Sequence, residues 1–251
     1  MTFYSILKHA AKGYLDNLKL ISVFSIPLLI TLPLTLFLPN FVALGGTFLR
    51  FGSIGRDISL IDAGIIVVAF LVALLLFSFT LVSINLIIRS QRTFHKLAHR
   101  DVERIEAHTA RLFAIFLAVF LVTLVFNFFL YDVRFFSIPL HTTLGALFGF
   151  ALAVAVLFAP QAIVLDDQKT LPAIGMSVWV IERKFDYFLQ FLLLAGALLL
   201  VNTGVFIALG SLLGLPLITK YAAIVVNSIV IVPFLEVLKT QMYLSKYSIL
   251  K

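Results

Sequence analysis

Six long apolar runs, at roughly 20 to 41, 63 to 88, 112 to 131, 138 to 165, 187 to 213 and 217 to 240, occupy most of the 251 residues. A helix needs about 20 largely apolar residues, rising about 1.5 Å each, to cross about 30 Å of hydrocarbon. Each run meets that length without alternating polar positions, so the pattern is that of spanning helices and not of barrel strands. Composition agrees: 62% of residues are hydrophobic, 12% are charged and mean hydropathy is +1.12, against about 25% charged in a soluble domain. The expected fold is an all-α, polytopic bundle forming one integral membrane domain over residues 1–251.

The first run follows Lys8, Lys12 and Lys19, as an apolar signal-peptide core would. Asp16, Pro27 and Pro33 and the absence of an A-x-A-like site argue instead for a retained, kinked span.

Orientation follows from the cations. With both termini on one side, that side holds fifteen Lys and Arg residues and the other only Arg50, Arg56, Arg134 and Lys220. The asymmetry in short loops predicts both termini in the cytoplasm of a cell-membrane protein. The net charge of +7 then implies contact with anionic lipid at the cytoplasmic face. Nucleic acid is not an expected partner, because the cations are dispersed among Asp and Glu. Cysteine is absent, which removes disulfides, thiolate nucleophiles and thiolate metal sites.

Each pair of spans is preceded by a segment with one apolar stripe. Phe3, Leu7, Ala10, Tyr14 and Leu18 form the first. Phe94, Leu97, Val102, Ile105 and Leu112 form the second, and Leu171, Ile174, Val178, Ile181 and Phe185 the third. These predict three cytoplasmic interfacial helices. The repeating unit is interfacial helix, span, outer turn, span, over about 1–90, 91–165 and 166–251, a possible threefold repeat in one orientation. Parallel repeats differ from the inverted repeats of many alternating-access transporters.

Few polar residues invite chemistry. His95 and His99, with Glu103 and Glu106, have helical spacing for a metal but lack the H-E-x-x-H pattern, and sit among Arg92, Lys96, Arg100 and Arg104; a solvated charged face explains them. Glu236 is the only carboxylate well inside a predicted span, which marks it for function; Lys239, three residues on, makes a structural ion pair the simpler reading. Asn202 and Asn227 are equidistant from the Gly214-Leu-Pro216 turn, so two antiparallel helices carry both amides at one depth and they form a candidate structural pair. Asn85, Gln161 and Glu236 fall near the cytoplasmic end, and Asn127 toward the outer one. Gly145-x-x-x-Gly149 offers a smooth packing surface. There is no G-x-S-x-G and no paired intramembrane acid, so no catalytic, cofactor-binding or metal-binding residue is assigned, no cofactor is expected, and the reading is non-enzymatic.

The run Phe158-Ala-Pro-Gln-Ala-Ile-Val-Leu-Asp166, then Leu171-Pro-Ala-Ile-Gly-Met-Ser177, Glu182-Arg-Lys-Phe185, and Pro233 leading to Thr240-Gln-Met-Tyr243 resembles a six-helix membrane-domain superfamily. It includes the membrane domain of bacterial glycerophosphodiester phosphodiesterases and related stand-alone bacterial and archaeal membrane proteins. Asp166-Asp167 and Pro172 depart from that pattern. The resemblance implies a fold and a membrane location and transfers no activity. The expected role is a membrane scaffold or accessory subunit contacting lipids or a membrane-protein partner, with a small-solute or lipid transporter or channel component as the alternative.

Overall fold

The computed structural model describes residues 2–31, 60–93, 99–130, 134–135 and 138–247. Within them the chain is helical apart from short connections and a two-residue antiparallel ladder, β1 (Arg134–Phe135) against β2 (Ile138–Pro139), in the turn between two spans. The helices are α1 (Phe3–Asp16), α2 (Leu18–Ser25), α3 (Leu60–Thr93), α4 (His99–Leu130), α5 (Leu140–Ala155), α6 (Ala159–Asp166), α7 (Thr170–Arg183), α8 (Phe185–Leu213), α9 (Pro216–Val226) and α10 (Val232–Leu244).

Among the described residues, five segments are long and apolar enough to cross a membrane: Val67–Ser90, Arg104–Leu130, Thr143–Asp166, Phe185–Leu213 and Pro216–Leu244. The chain is therefore a multi-pass membrane protein. The expected first span runs past residue 31, and its remainder, with the outer connection to residue 59, lies outside the described residues. Burial divides the five: the most apolar 18-residue stretches of Val67–Ser90, Thr143–Asp166 and Pro216–Leu244 are 44, 44 and 39% buried, whereas those of Arg104–Leu130 and Phe185–Leu213 are 17 and 0%. In the two hairpins whose spans are both described, the second span is thus the more internal and the first presents its apolar surface outward. Exposed Leu193, Leu200, Ile207 and Leu212 on α8 suit a lipid solvent and would be costly in water.

Two prolines shape the internal helices. Pro160 has no N–H to give Val156, and the span breaks at Val156–Phe158; Ala159 N–H takes the Val156 carbonyl instead at 3.0 Å. The freed Phe158 N–H donates to Ser177 Oγ on α7 at 2.9 Å. Pro233 likewise cannot serve the carbonyl four residues back, that of Ile229. The Tyr14 hydroxyl donates to it at 3.2 Å, and a π-helical turn at Asn227–Ile231 joins α9 to α10. Burial raises the Tyr14 phenol pKa.

The hairpin turn between α8 and α9 has the residues such a turn needs: Gly214 in the left-handed region at φ 66° and Pro216 at the start of α9. At Gly145, α5 approaches α4 so closely that an added Cβ would collide with the Asn127 side chain, and at Gly149 it would touch Thr123 Cγ2 at 3.4 Å.

The amphipathic segments differ in detail from the expected stripes. On α1 the buried face is Ile6, Ala10 and Tyr14, with Phe3 and Leu7 packed against the core. Leu18 is exposed because the helix breaks at Asn17 and loses phase. On α7 the buried residues are Ala173, Ser177, Val180 and Ile181, while Leu171 and Phe185 are exposed; the Ser177 bond to Phe158 turns that face inward. The second segment is not a separate helix where it is described: from His99 it continues unbroken into the span as α4, with Leu112 buried and Ile105 packed on the core. Phe94 and Leu97 lie outside the described residues. In packing order, α1 rests on α10, α4 on α3, and α7 on α6.

Candidate functional site

The internal helices converge at the end carrying α1 and α7, where a run of buried residues continues from Leu235 to Leu244. At its centre is Glu236, 2% exposed. Its Oε1 accepts from Asn85 Nδ2 of α3 at 2.7 Å and from Gln161 Nε2 of α6 at 2.7 Å. Its Oε2 meets Lys239 Nζ at 2.6 Å. Lys239 also donates to the Leu157 carbonyl at 3.2 Å, in the break that Pro160 creates. The Thr240 hydroxyl lies 2.7 Å from Asn85 Oδ1 and 2.9 Å from the Glu236 carbonyl, and Asn85 Nδ2 also reaches the Leu81 carbonyl at 2.8 Å.

A buried carboxylate is tolerable only when paired and hydrogen-bonded. Here three helices supply an ammonium and two amide donors, which suffices for both carboxylate oxygens. The one polar atom of the cluster without a hydrogen-bond partner among the described residues is Gln161 Oε1.

Toward the chain's C-terminal side, Asp166 Oδ2 accepts from the Tyr243 hydroxyl at 2.6 Å and from Lys246 Nζ at 2.5 Å. The Lys246 ammonium sits 3.7 Å from the centre of the Tyr243 ring. Burial lowers the Lys246 pKa, and the bond to Asp166 acts against that shift. Arg89 Nη1 donates to the Val164 carbonyl at 2.7 Å. Asp167 ends α6 in the left-handed region, φ 51°, and meets Arg111 Nη1 at 2.7 Å. That bond, above all, holds the Asp167 carboxyl below the ordinary carboxylate range.

The two pairs singled out in the sequence are each in contact. Asn202 Nδ2 donates to Asn227 Oδ1 at 2.9 Å and to the Ala223 carbonyl at 3.1 Å; Lys239 and Glu236 pair as given above. Asn127 is not with them: its amide donates to the Thr123 carbonyl at 2.8 Å within α4. No group of three metal-ligating side chains occurs among the described residues, and His95 falls outside them.

The convergence of Asn85 and Gln161 on Glu236 is the feature that reading the sequence missed. A signal was present. Gln161 and Glu236 are 75 residues apart and Asn85 and Glu236 are 151 apart, so Asn85 and Gln161 are 151 − 75 = 76 apart. Near-equal spacing of the three polar residues along the chain accompanies their meeting at one carboxylate.

Comparison with protein-family models, curated proteins and solved structures returned no match.

Proposed function

We propose that this chain is a non-enzymatic integral membrane scaffold or accessory subunit, contacting lipids, anionic at the cytoplasmic face, or a partner membrane protein. The observation that carries this reading is the closure of the Glu236 cluster: its charged atoms are bonded within the protein and buried, with Glu236 2% and Lys239 9% exposed. A site that exchanges a solute needs charged groups that can change partners; in this closed cluster the Asn85 and Gln161 amides on Glu236, and Lys239 on the Leu157 carbonyl, instead fix which helices meet and in what register.

In this reading six spans and three interfacial helices form a threefold parallel repeat in the cell membrane, with both termini cytoplasmic, similar to the six-helix superfamily named above. Its support is the spacing of Asn85, Gln161 and Glu236, together with the cyclic packing of α1 on α10, α4 on α3 and α7 on α6. The outward faces of α1 and α7 carry exposed Tyr4, Leu15, Leu171 and Trp179, with Arg183 5.2 Å from the Trp179 ring; apolar residues beside cations suit a helix in the headgroup region.

A transporter or channel component is the second reading. It is favoured by one observation: polar groups of three helices gather at one depth around a carboxylate, with Gln161 Oε1 unpartnered among the described residues.

Reconstitution separates the two. Purified in mild detergent and placed in sealed vesicles, the scaffold is expected to retain anionic lipid or a protein partner and to leave proton and cation flux at the level of empty vesicles. Flux that disappears in Glu236→Gln would establish the second reading. Single cysteines test the orientation: Ser211→Cys should react with an impermeant reagent on intact cells and Ser90→Cys should not, and the reverse pattern would invert the topology.

A further inference from the structure

We propose that the crevice between α3 and α4 seats an acyl chain of a phospholipid whose headgroup ends in a primary ammonium, as in phosphatidylethanolamine, with Glu106 as the counter-ion of that headgroup. The crevice has a volume of about 430 Å³, is open along one side, and is walled by Leu75, Leu76 and Phe79 of α3 and by Ile105, Glu106 and Ala110 of α4. Its size falls within the range of ligand sites, about 300–1,000 Å³. Thr109 completes the wall with its hydroxyl oxygen sealed inside the protein, so Glu106 alone brings a charge to it.

The two ends of the crevice face different surroundings. Glu106 is the third residue of the span Arg104–Leu130, at the level of the headgroups, and it is exposed. Leu75 is fifteen residues from Ser90, the end of its own span, so it lies about 22 Å in along the helix axis; it is 45% exposed. A crevice running from a carboxylate at the boundary to bare leucine inside the hydrocarbon has the polarity of a lipid molecule. Ring contacts Phe77–Phe116 and Phe70–Phe120, with centres 5.6 and 4.5 Å apart, hold α3 against α4, so the crevice belongs to a fixed helix pair.

Charge selects the headgroup. Among the described residues no cation lies within ion-pairing distance of Glu106. Arg104, His108 and Arg111 on the same helix are turned about 140–160° from it at 100° per residue, and Arg111 is bonded to Asp167. A carboxylate without a counter-ion attracts an ammonium and repels an anionic headgroup. Like a lysine side chain, ethanolamine offers three N–H donors, whereas choline offers none. The inference rests on the lipid-contact reading above, and names for this crevice a lipid other than the anionic one.

The test uses the full chain carrying Leu75→Trp and Trp179→Phe, which leaves a single tryptophan at the inner end of the crevice. Phosphatidylethanolamine, phosphatidylcholine or phosphatidylglycerol with brominated acyl chains is added to the nanodiscs, and quenching of that tryptophan gives the relative affinities. Phosphatidylethanolamine should bind about threefold more tightly than phosphatidylcholine, the scale of an exposed ion pair, and phosphatidylglycerol no more tightly. Glu106→Gln should abolish the difference. Ala110→Phe, which fills the crevice, should reduce quenching by all three lipids, and Glu182→Gln, an exposed acid on α7, should change nothing. A reporter-free comparison stands beside these: exchanging part of the phosphatidylcholine for phosphatidylethanolamine should raise the Tm of the native chain by mass action and not that of Glu106→Gln, and it decides alone where the reporter chain does not fold. Equal affinities for the two zwitterionic lipids, a tighter phosphatidylglycerol, or a preference that survives in Glu106→Gln would overturn the proposal. So would the absence of quenching by every lipid, which would show the crevice closed to acyl chains. The lipid-contact reading is judged separately, by retention of anionic lipid in detergent.

Discussion

Gln161 and Glu236, 75 residues apart, meet at 2.7 Å with both side chains buried. The bond joins α6 to α10, and with Asn85 from α3 on the same oxygen it ties three helices at one point. In lipid, apolar side chains give little preference for one helix neighbour over another, so polar contacts and close packing decide register. Away from this junction the hairpins α4–α5 and α8–α9 present broad apolar surfaces, including Phe129, Phe150, Leu200 and Leu213.

The Asn202–Asn227 bond, 2.9 Å long, holds the α8–α9 hairpin together where both helices are otherwise apolar. Replacing one amide by leucine leaves the other unpaired; replacing both leaves none. Asn202→Leu or Asn227→Leu alone is expected to cost about 0.6 kcal/mol, up to about 2, and the double variant less than either. Unfolding in detergent with a double-mutant cycle measures this, and strictly additive losses would refute the pairing.

Tyr14 supplies the donor that Pro233 denies to Ile229. Tyr14→Phe should therefore cost about 1 kcal/mol. In a Pro233→Ala background a backbone N–H returns, and the cost of Tyr14→Phe should fall by at least half. Unfolding midpoints of the four proteins check it; an equal cost in both backgrounds would show that the hydroxyl acts elsewhere.

Asp167 links stability to acid pH. Arg111 lowers its folded-state pKa below the ordinary carboxylate value, so its contribution is present above that value, about 4, and is lost as pH falls through the lowered folded one. The side chain is half exposed, so the effect is small and screened by salt. Acid titration of Tm should show a decline below about pH 4 that is shallower in Asp167→Asn and weaker at high salt. A steeper decline in the variant would reverse the sign.

Much of this architecture is visible in the residues alone. The apolar runs locate the five described spans, because hydrocarbon thickness fixes a length that sequence displays directly, although the span Arg104–Leu130 starts well before the run expected from residue 112. The Lys239–Glu236 spacing and the equal distances of Asn202 and Asn227 from the Gly214 turn are local relations along one helix or across one hairpin. The meeting of Asn85, Gln161 and Glu236 is different, since it depends on which face each of three helices turns inward. Pro160 and Pro233 alter that facing by breaking or widening their helices, and hydrophobic periodicity gives no help where every face is apolar. Local events moved the buried faces of α1 and α7 away from Leu18, Leu171 and Phe185: the helix break at Asn17 and the bond from Phe158 N–H to Ser177.

The central claim is that the Glu236–Lys239 pair is a closed structural junction, and a double-mutant cycle in lipid nanodiscs tests it most directly. Glu236→Met strands a buried ammonium and should cost about 3–5 kcal/mol, with Lys239→Met also destabilising, while the double methionine variant, which strands only the Asn85 and Gln161 amides, should lose less than Glu236→Met alone. A double variant that loses the sum of the two single losses would contradict the account.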